Sequence, residues 1–136
     1  MPELTSGQAK DLARQFLSLG QSINKYRIDN WDNQTSEERK ILSDLHWKII
    51  NYVDDFTSLS TTLILEDAEG DLENLQTVTT DIKKSVHRIE MVQKVINVAA
   101  AVVAVGAAIV ARDPKTIGKE MIGLSKAWNE DLPSDK

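Results

Sequence analysis

Residues 95–111 have the sequence VINVAAAVVAVGAAIVA, which contains no charged side chain and only one strongly polar one, Asn97. A helix that is apolar on every side is either central in a bundle or inserted in a membrane. The run is slightly shorter than the ~20 apolar residues of a spanning helix. Its Val and Ile side chains contribute only about −2 to −5 kcal/mol to insertion. We therefore expect a buried bundle helix, with membrane entry as the alternative.

The flanking sequence extends this helix upstream and ends it downstream. Asp113 followed by Pro114 ends one helix and begins another, because proline cannot continue the preceding hydrogen-bond ladder but suits a first helical position. Upstream, apolar side chains recur every seven residues, which is typical of helices packed at shallow angles. One such series is Leu75, Ile82, Ile89, Ile96, Val103 and Val110. The sequence predicts helices at about 72–112 and 115–129.

These two helices would form an apolar hairpin over about 95–124. This layout resembles the hydrophobic hairpins of α-helical pore-forming toxins, a class of elongated helical bundles that conceal such a hairpin until they meet a membrane. The resemblance rests on the composition and the hairpin layout of this segment. The candidate apolar residues of this hairpin are Ile96, Val98, Val102, Val103, Val105, Ile109, Val110, Ile117 and Met121.

Two amphipathic helices precede the hairpin. Apolar side chains at alternating three- and four-residue steps predict helices at about 8–27 and 36–66. Thr35 and Glu38 have the spacing of a capping box, which marks the start of the second helix. The length of 136 residues suits one hydrophobic core. We predict an all-α fold, an elongated antiparallel bundle of about four helices with heptad-like packing, forming one domain over residues 1–136.

Composition and residue types argue against several functions. The net charge is −5 and no long basic run is present, which disfavours binding to nucleic acid. The chain contains no cysteine, which excludes disulfides, thiolate zinc sites and thiol catalysis. His46 and His87 lack the Glu-x-x-His spacing of helical metal sites. We expect no enzymatic activity, no cofactor, no metal ion and no small-molecule ligand.

The first residues lack the basic and then apolar segments of a classical signal peptide, so we expect a cytoplasmic protein, with export by a signal-less route as the alternative. Two tryptophans are candidate partner contacts, because tryptophan is enriched at binding hot spots. Trp47 is predicted to lie on the flank of the second helix. Trp31 lies in a polar loop, where it either caps the end of the bundle or contacts a partner.

Two functional hypotheses follow from the sequence. The leading one is a non-enzymatic protein-interaction module, such as an accessory, inhibitor, antitoxin or immunity-type factor, that binds a protein partner or a second copy of itself through its helices. The alternative is a membrane-active component of an α-helical pore-forming system that uses the 95–124 hairpin.

Overall fold

A computed structural model describes residues 6–58, 69–86, 89, 91–111 and 113–129. These residues form helices and short connections and contain no strand, which confirms the all-α prediction. A short 3-10 turn at Trp31–Asn33 joins the first two helices. The α-helices of the described segments are α1 (Ser6–Asp29), α2 (Ser36–Ser58), α3 (Glu69–Ser85), α4 (Val92–Ala111) and α5 (Pro114–Asn129).

The capping residues that the sequence marked begin two of these helices. At the start of α2, the Thr35 hydroxyl accepts a hydrogen bond from the Glu38 amide at 3.0 Å, and the Glu38 carboxylate accepts one from the Thr35 amide at 2.8 Å. At the start of α5, the Asp113 carboxylate accepts hydrogen bonds from the Lys115 amide at 3.2 Å and from the Thr116 hydroxyl at 2.7 Å. Both helix starts therefore have the local cause that the sequence indicated.

Each of the five described helices packs mainly against two of the others. Helix α1 packs on α2 and α3, α2 also packs on α4, and α5 packs on α4 and α3. One hydrophobic core of the described residues draws on all five helices. Its largest fully buried side chains are Phe16, Leu19, Ile23, Leu42, Ile49, Phe56, Leu75, Ile82, Ile109 and Ile117.

The prediction of one long helix over 72–112 is wrong, and a bundle of about four helices with heptad-like packing is not confirmed, since the described residues form five α-helices. Helix α3 ends at Ser85 and α4 begins at Val92, so the segment is two helices. At about 1.5 Å per residue, an unbroken helix of that length would measure roughly 60 Å, whereas α1 measures about 36 Å. About 24 Å of it would then extend beyond the length of α1. The break instead lets α3 pack on α1 and α5 while α4 packs on α2 and α5.

The other predicted bounds agree closely with the structure where it describes them. Helix α1 extends two residues beyond the predicted 8–27 at each end, and α5 coincides with the predicted 115–129 apart from Pro114. Helix α2 begins where predicted and is described as far as Ser58. The rest of the predicted 36–66 helix lies outside the described residues.

An aromatic cluster joins α1 to α2. The Phe16 ring contacts the Phe56 ring edge to face, with centroids 4.7 Å apart, and the Tyr52 ring at 6.1 Å. Gly20 lies one turn further along α1, where a Cβ atom would come within 2.7 Å of Cδ1 of Ile50. From Phe16 to Gly20 along α1 the contacts move back from Phe56 to Ile50 along α2, so the two helices are antiparallel.

Candidate functional site

Trp31 lies at the connection between α1 and α2 and is 46% exposed. The Arg39 guanidinium lies 4.5 Å from the centroid of its ring, and the Arg27 guanidinium lies 5.5 Å from it. Arg39 also donates hydrogen bonds to the carbonyl of Trp31 at 2.7 Å and to that of Gln34 at 3.0 Å. Trp31 is therefore held by two cationic side chains and still presents nearly half of its surface to solvent.

The buried Gln34 side chain fixes the turn that carries Trp31. Its amide nitrogen donates to the carbonyl of Arg27 at 2.9 Å and to that of Asn30 at 2.8 Å, and so satisfies carbonyls at the end of α1. The Asn30 side chain donates to the carbonyl of Tyr26 at 3.0 Å. These bonds make the connection a rigid C-terminal cap, so Trp31 is displayed from a fixed backbone.

Trp47 lies on the outward side of α2 and is 58% exposed. Its ring contacts the His46 ring, with centroids 4.9 Å apart. Partial burial and the positive charge of Arg27 hold the pKa of His46 below its ordinary value. Arg27 thus contacts the Trp31 ring and also acts electrostatically on His46.

We call these five side chains, Arg27, Trp31, Arg39, His46 and Trp47, the tryptophan surface. Sequence reasoning identified Trp31 and Trp47 but missed the two arginines. The four-residue separation of Arg27 and Trp31 is the signal that could have identified the first of them. Arg39 joins the surface only because the connection folds back on the start of α2.

The predicted hairpin residues are all on α4 or α5, and most of them are inside the bundle. Those that are buried are Val98, Val102, Val105, Ile109, Ile117 and Met121. Those that are half-buried and packed against the core are Ile96, Val103 and Val110. The Lys94 ammonium at the start of α4 lies 5.6 Å from the ring centroid of Trp128 at the end of α5. This contact joins opposite ends of the two helices, which are therefore an antiparallel pair.

The outward side of α4 differs from that of an ordinary surface helix. Ala100, Ala107 and Ala111 are exposed along it, and its first turns carry Gln93 and Asn97, whose side chains share a 2.8 Å hydrogen bond. No charged residue follows Lys94 within α4. In the described part of the chain, α4 is the helix long and apolar enough to cross a membrane, with a mean hydropathy of 2.2, and 44% of that apolar window is buried.

The described residues contain no group of three or more His, Asp or Glu side chains placed to hold a metal ion. His87 lies outside the described residues. The expected lack of a metal, a cofactor and a catalytic activity stays a prediction. Comparison with known protein families, with curated proteins and with solved structures found no match.

Proposed function

We propose that this chain is a non-enzymatic helical protein-interaction module, of the accessory, inhibitor, antitoxin or immunity type, that contacts its partner through the tryptophan surface. The observation that carries the proposal is that Trp31 and Trp47 are both exposed and that each ring is held against a neighbouring side chain, Trp31 against Arg27 and Arg39, and Trp47 against His46. Tryptophan and arginine are the residues most enriched at the energetic centres of protein interfaces.

The setting of the surface favours tight binding. Trp47 projects from the middle of α2, and Trp31 projects from a connection whose backbone is fixed by Gln34 and Arg39. A partner that covers these rings would therefore order few additional groups, and ordering is a main cost of association. Truncation of one such tryptophan at an interface commonly costs about 2–4 kcal/mol of binding free energy.

Site-specific cross-linking tests this proposal. A photoreactive amino acid replaces Trp47 in one variant and Lys48, its exposed neighbour on α2, in a matched control. Both proteins are irradiated in the cell that makes them. We expect a discrete cross-linked protein from position 47 that is weak or missing from position 48, because adjacent helical residues point about 100° apart. Identical products from both positions, or none from position 47, would contradict the proposal.

The identified partner then allows a quantitative measurement. Trp47→Ala should weaken its binding at least about tenfold, the effect of losing a hot-spot side chain. Lys48→Ala should leave binding unchanged. If both variants bound equally well, the partner would be contacting another part of the bundle.

A second candidate function is membrane activity of the 95–124 hairpin, and the charge-free outward side of α4 favours it. Soluble helices normally direct charged residues to solvent, whereas α4 directs alanines there. Entry into a bilayer would require α4 and α5 to leave their contacts with α2 and α3. The contact between Lys94 and Trp128 lies within the antiparallel pair and would be retained in the bilayer.

Dye release from lipid vesicles tests the second candidate. Ala107→Glu places a charge on the exposed side of α4, where the folded bundle accommodates it but a bilayer core does not. Ala107→Ser is the matched control, since it keeps the residue small and uncharged. We expect release by the wild type and by Ala107→Ser, and its loss in Ala107→Glu. No release by the wild type at any pH or lipid composition would eliminate this candidate.

A further inference from the structure

The outward face of α5 carries three lysines around one exposed isoleucine. Lys115, Lys119, Ile122 and Lys126 follow one another at four-, three- and four-residue steps, which places them on one face of the helix. All four are exposed, and Ile122 is 72% exposed, the largest exposed fraction among the large apolar side chains of the described residues. The opposite face of α5 is buried and carries Ile117, Met121 and Leu124.

This lysine–isoleucine face is basic on a chain whose net charge is −5. Within the described residues, the ion pairs lie on α1 and α2, and none of these three lysines takes part in one. The acidic side chain within α5 is Glu120, which is half-buried. Beside Ile122, a Cβ atom on Gly123 would meet nothing within 4 Å, so the face is open to a flat surface.

We propose that the lysine–isoleucine face binds the surface of an anionic lipid bilayer. The lysines would contact headgroup phosphates, and Ile122 would enter the boundary between the headgroups and the acyl chains. Long lysine side chains keep their ammonium groups among phosphates while their methylene stems lie along apolar surface. The inference deepens the second candidate function by naming the surface that would bring the hairpin to a membrane, but it requires no insertion of α4.

The composition of the face favours a bilayer over an acidic protein. Protein interfaces are depleted in lysine and enriched in arginine and aromatic residues, as the tryptophan surface is. Clustered lysines attract a protein surface to anionic lipid, and α5 adds the exposed Ile122 to three of them. The neighbouring helix in the antiparallel pair is α4, the most apolar element of the described chain.

Vesicle flotation with the full chain tests the proposal. We expect binding to phosphatidylcholine vesicles that contain phosphatidylserine, no binding to pure phosphatidylcholine vesicles, and loss of binding at high salt. Lys119→Gln and Lys126→Gln should each weaken binding about fivefold, and Ile122→Ser should also weaken it. Lys48→Gln, on the exposed side of α2, is the matched control and should bind like the wild type.

The results that would overturn this inference differ from those that would contradict the two proposed functions. Equal binding to neutral vesicles, no binding to anionic ones, an equal loss in Lys48→Gln, or capture of acidic protein without lipid binding would each overturn the inference. Binding without dye release would support the lysine–isoleucine face while eliminating membrane permeabilisation. The cross-linking result at position 47 does not depend on either measurement.

Discussion

The ring of Tyr52 on α2 lies directly against the backbone of Gly106 on α4. A Cβ atom on Gly106 would lie 2.6 Å from both Cδ2 and Cε2 of that ring and 3.0 Å from Cε2 of Phe16. Contacts this short do not occur between real side chains, so the three helices α1, α2 and α4 meet here because residue 106 lacks a side chain. Helix α4 thus packs on the aromatic cluster of α1 and α2.

Gly106→Ala should therefore destabilise the bundle even though alanine favours helix formation. The added methyl group displaces the Tyr52 and Phe16 rings from a packed core, and such overpacking costs about 1–3 kcal/mol. Urea denaturation measures the change in the free energy of unfolding. Gly123→Ala is the matched control, because a Cβ atom there meets open space. It should stabilise the protein by about 0.5–1 kcal/mol. Equal effects at the two positions would contradict the close contact.

Thr79→Val should stabilise the protein. The Thr79 hydroxyl on α3 is buried and has no hydrogen-bond partner among the described residues, so its removal relieves a desolvation penalty of about 1 kcal/mol. Valine has nearly the same shape and a similar helix propensity. The measurement is the shift of the thermal midpoint.

Thr80→Val is the control for that substitution. Its hydroxyl is exposed and donates to the Gln76 carbonyl at 3.0 Å, so its replacement should change stability by less than about 0.5 kcal/mol. A larger stabilisation at position 80 than at position 79 would show that the hydroxyl of Thr79 is satisfied.

The stability of the fold should fall as His46 is protonated. Burial and the Arg27 charge lower the pKa of His46 in the fold below 6.5, so the unfolded chain binds more protons in the interval between the two values. Stability should decline as pH falls from about 6.5 towards the folded pKa and be level, as far as this group is concerned, below it. An NMR titration of the imidazole gives the folded pKa directly.

His46→Gln should remove that part of the pH dependence. The difference in unfolding free energy between the wild type and the variant isolates it from the carboxylates that titrate at lower pH. A folded pKa at or above 6.5 would contradict the partial burial of the His46 imidazole in the bundle.

The two tryptophans should differ in their effect on stability. Trp31→Ala removes the ring against which Arg39 packs and should cost about 0.5–1 kcal/mol. Trp47→Ala removes a mostly exposed ring and should change stability by less than about 0.5 kcal/mol. Calorimetric unfolding of both variants checks this difference. Strong destabilisation by Trp47→Ala would give that residue a structural role.

Features with a local cause were predictable from the sequence. The helix starts at Thr35 and Asp113 follow from side chains that bond to amides within three residues. The buried positions of α5 follow from the spacing of Ile117, Met121 and Leu124. In each case the neighbours along the chain determine the outcome.

The sequence at the break between α3 and α4 contains no such local signal. The segment contains no glycine or proline, and the seven-residue apolar series continues through Ile82 and Ile89 into Ile96. The apolar residues of this series therefore face the core whether the helix is continuous or broken. Two helices are favoured here because the neighbouring helices are too short to cover the apolar face of one continuous helix.

The tryptophan surface was predictable only in part. The exposure of Trp47 follows from its place beside the core positions Leu45 and Ile49. The electrostatic effect of Arg27 on His46 depends on the register of α1 against α2. That register is set by packing between helices, including the approach of Ile50 to Gly20, and no pattern within either helix encodes it.

The fold of the described residues depends on α4 lying in the bundle with one face buried and the other in water. The chain contains no cysteine, so single cysteines report on this directly. In buffer without lipid, Ala107→Cys should react rapidly with a water-soluble thiol reagent. Val102→Cys should react more than about tenfold more slowly, because the reagent reaches it only when the helix opens. Rapid reaction at both positions, or protection of both, would contradict the account.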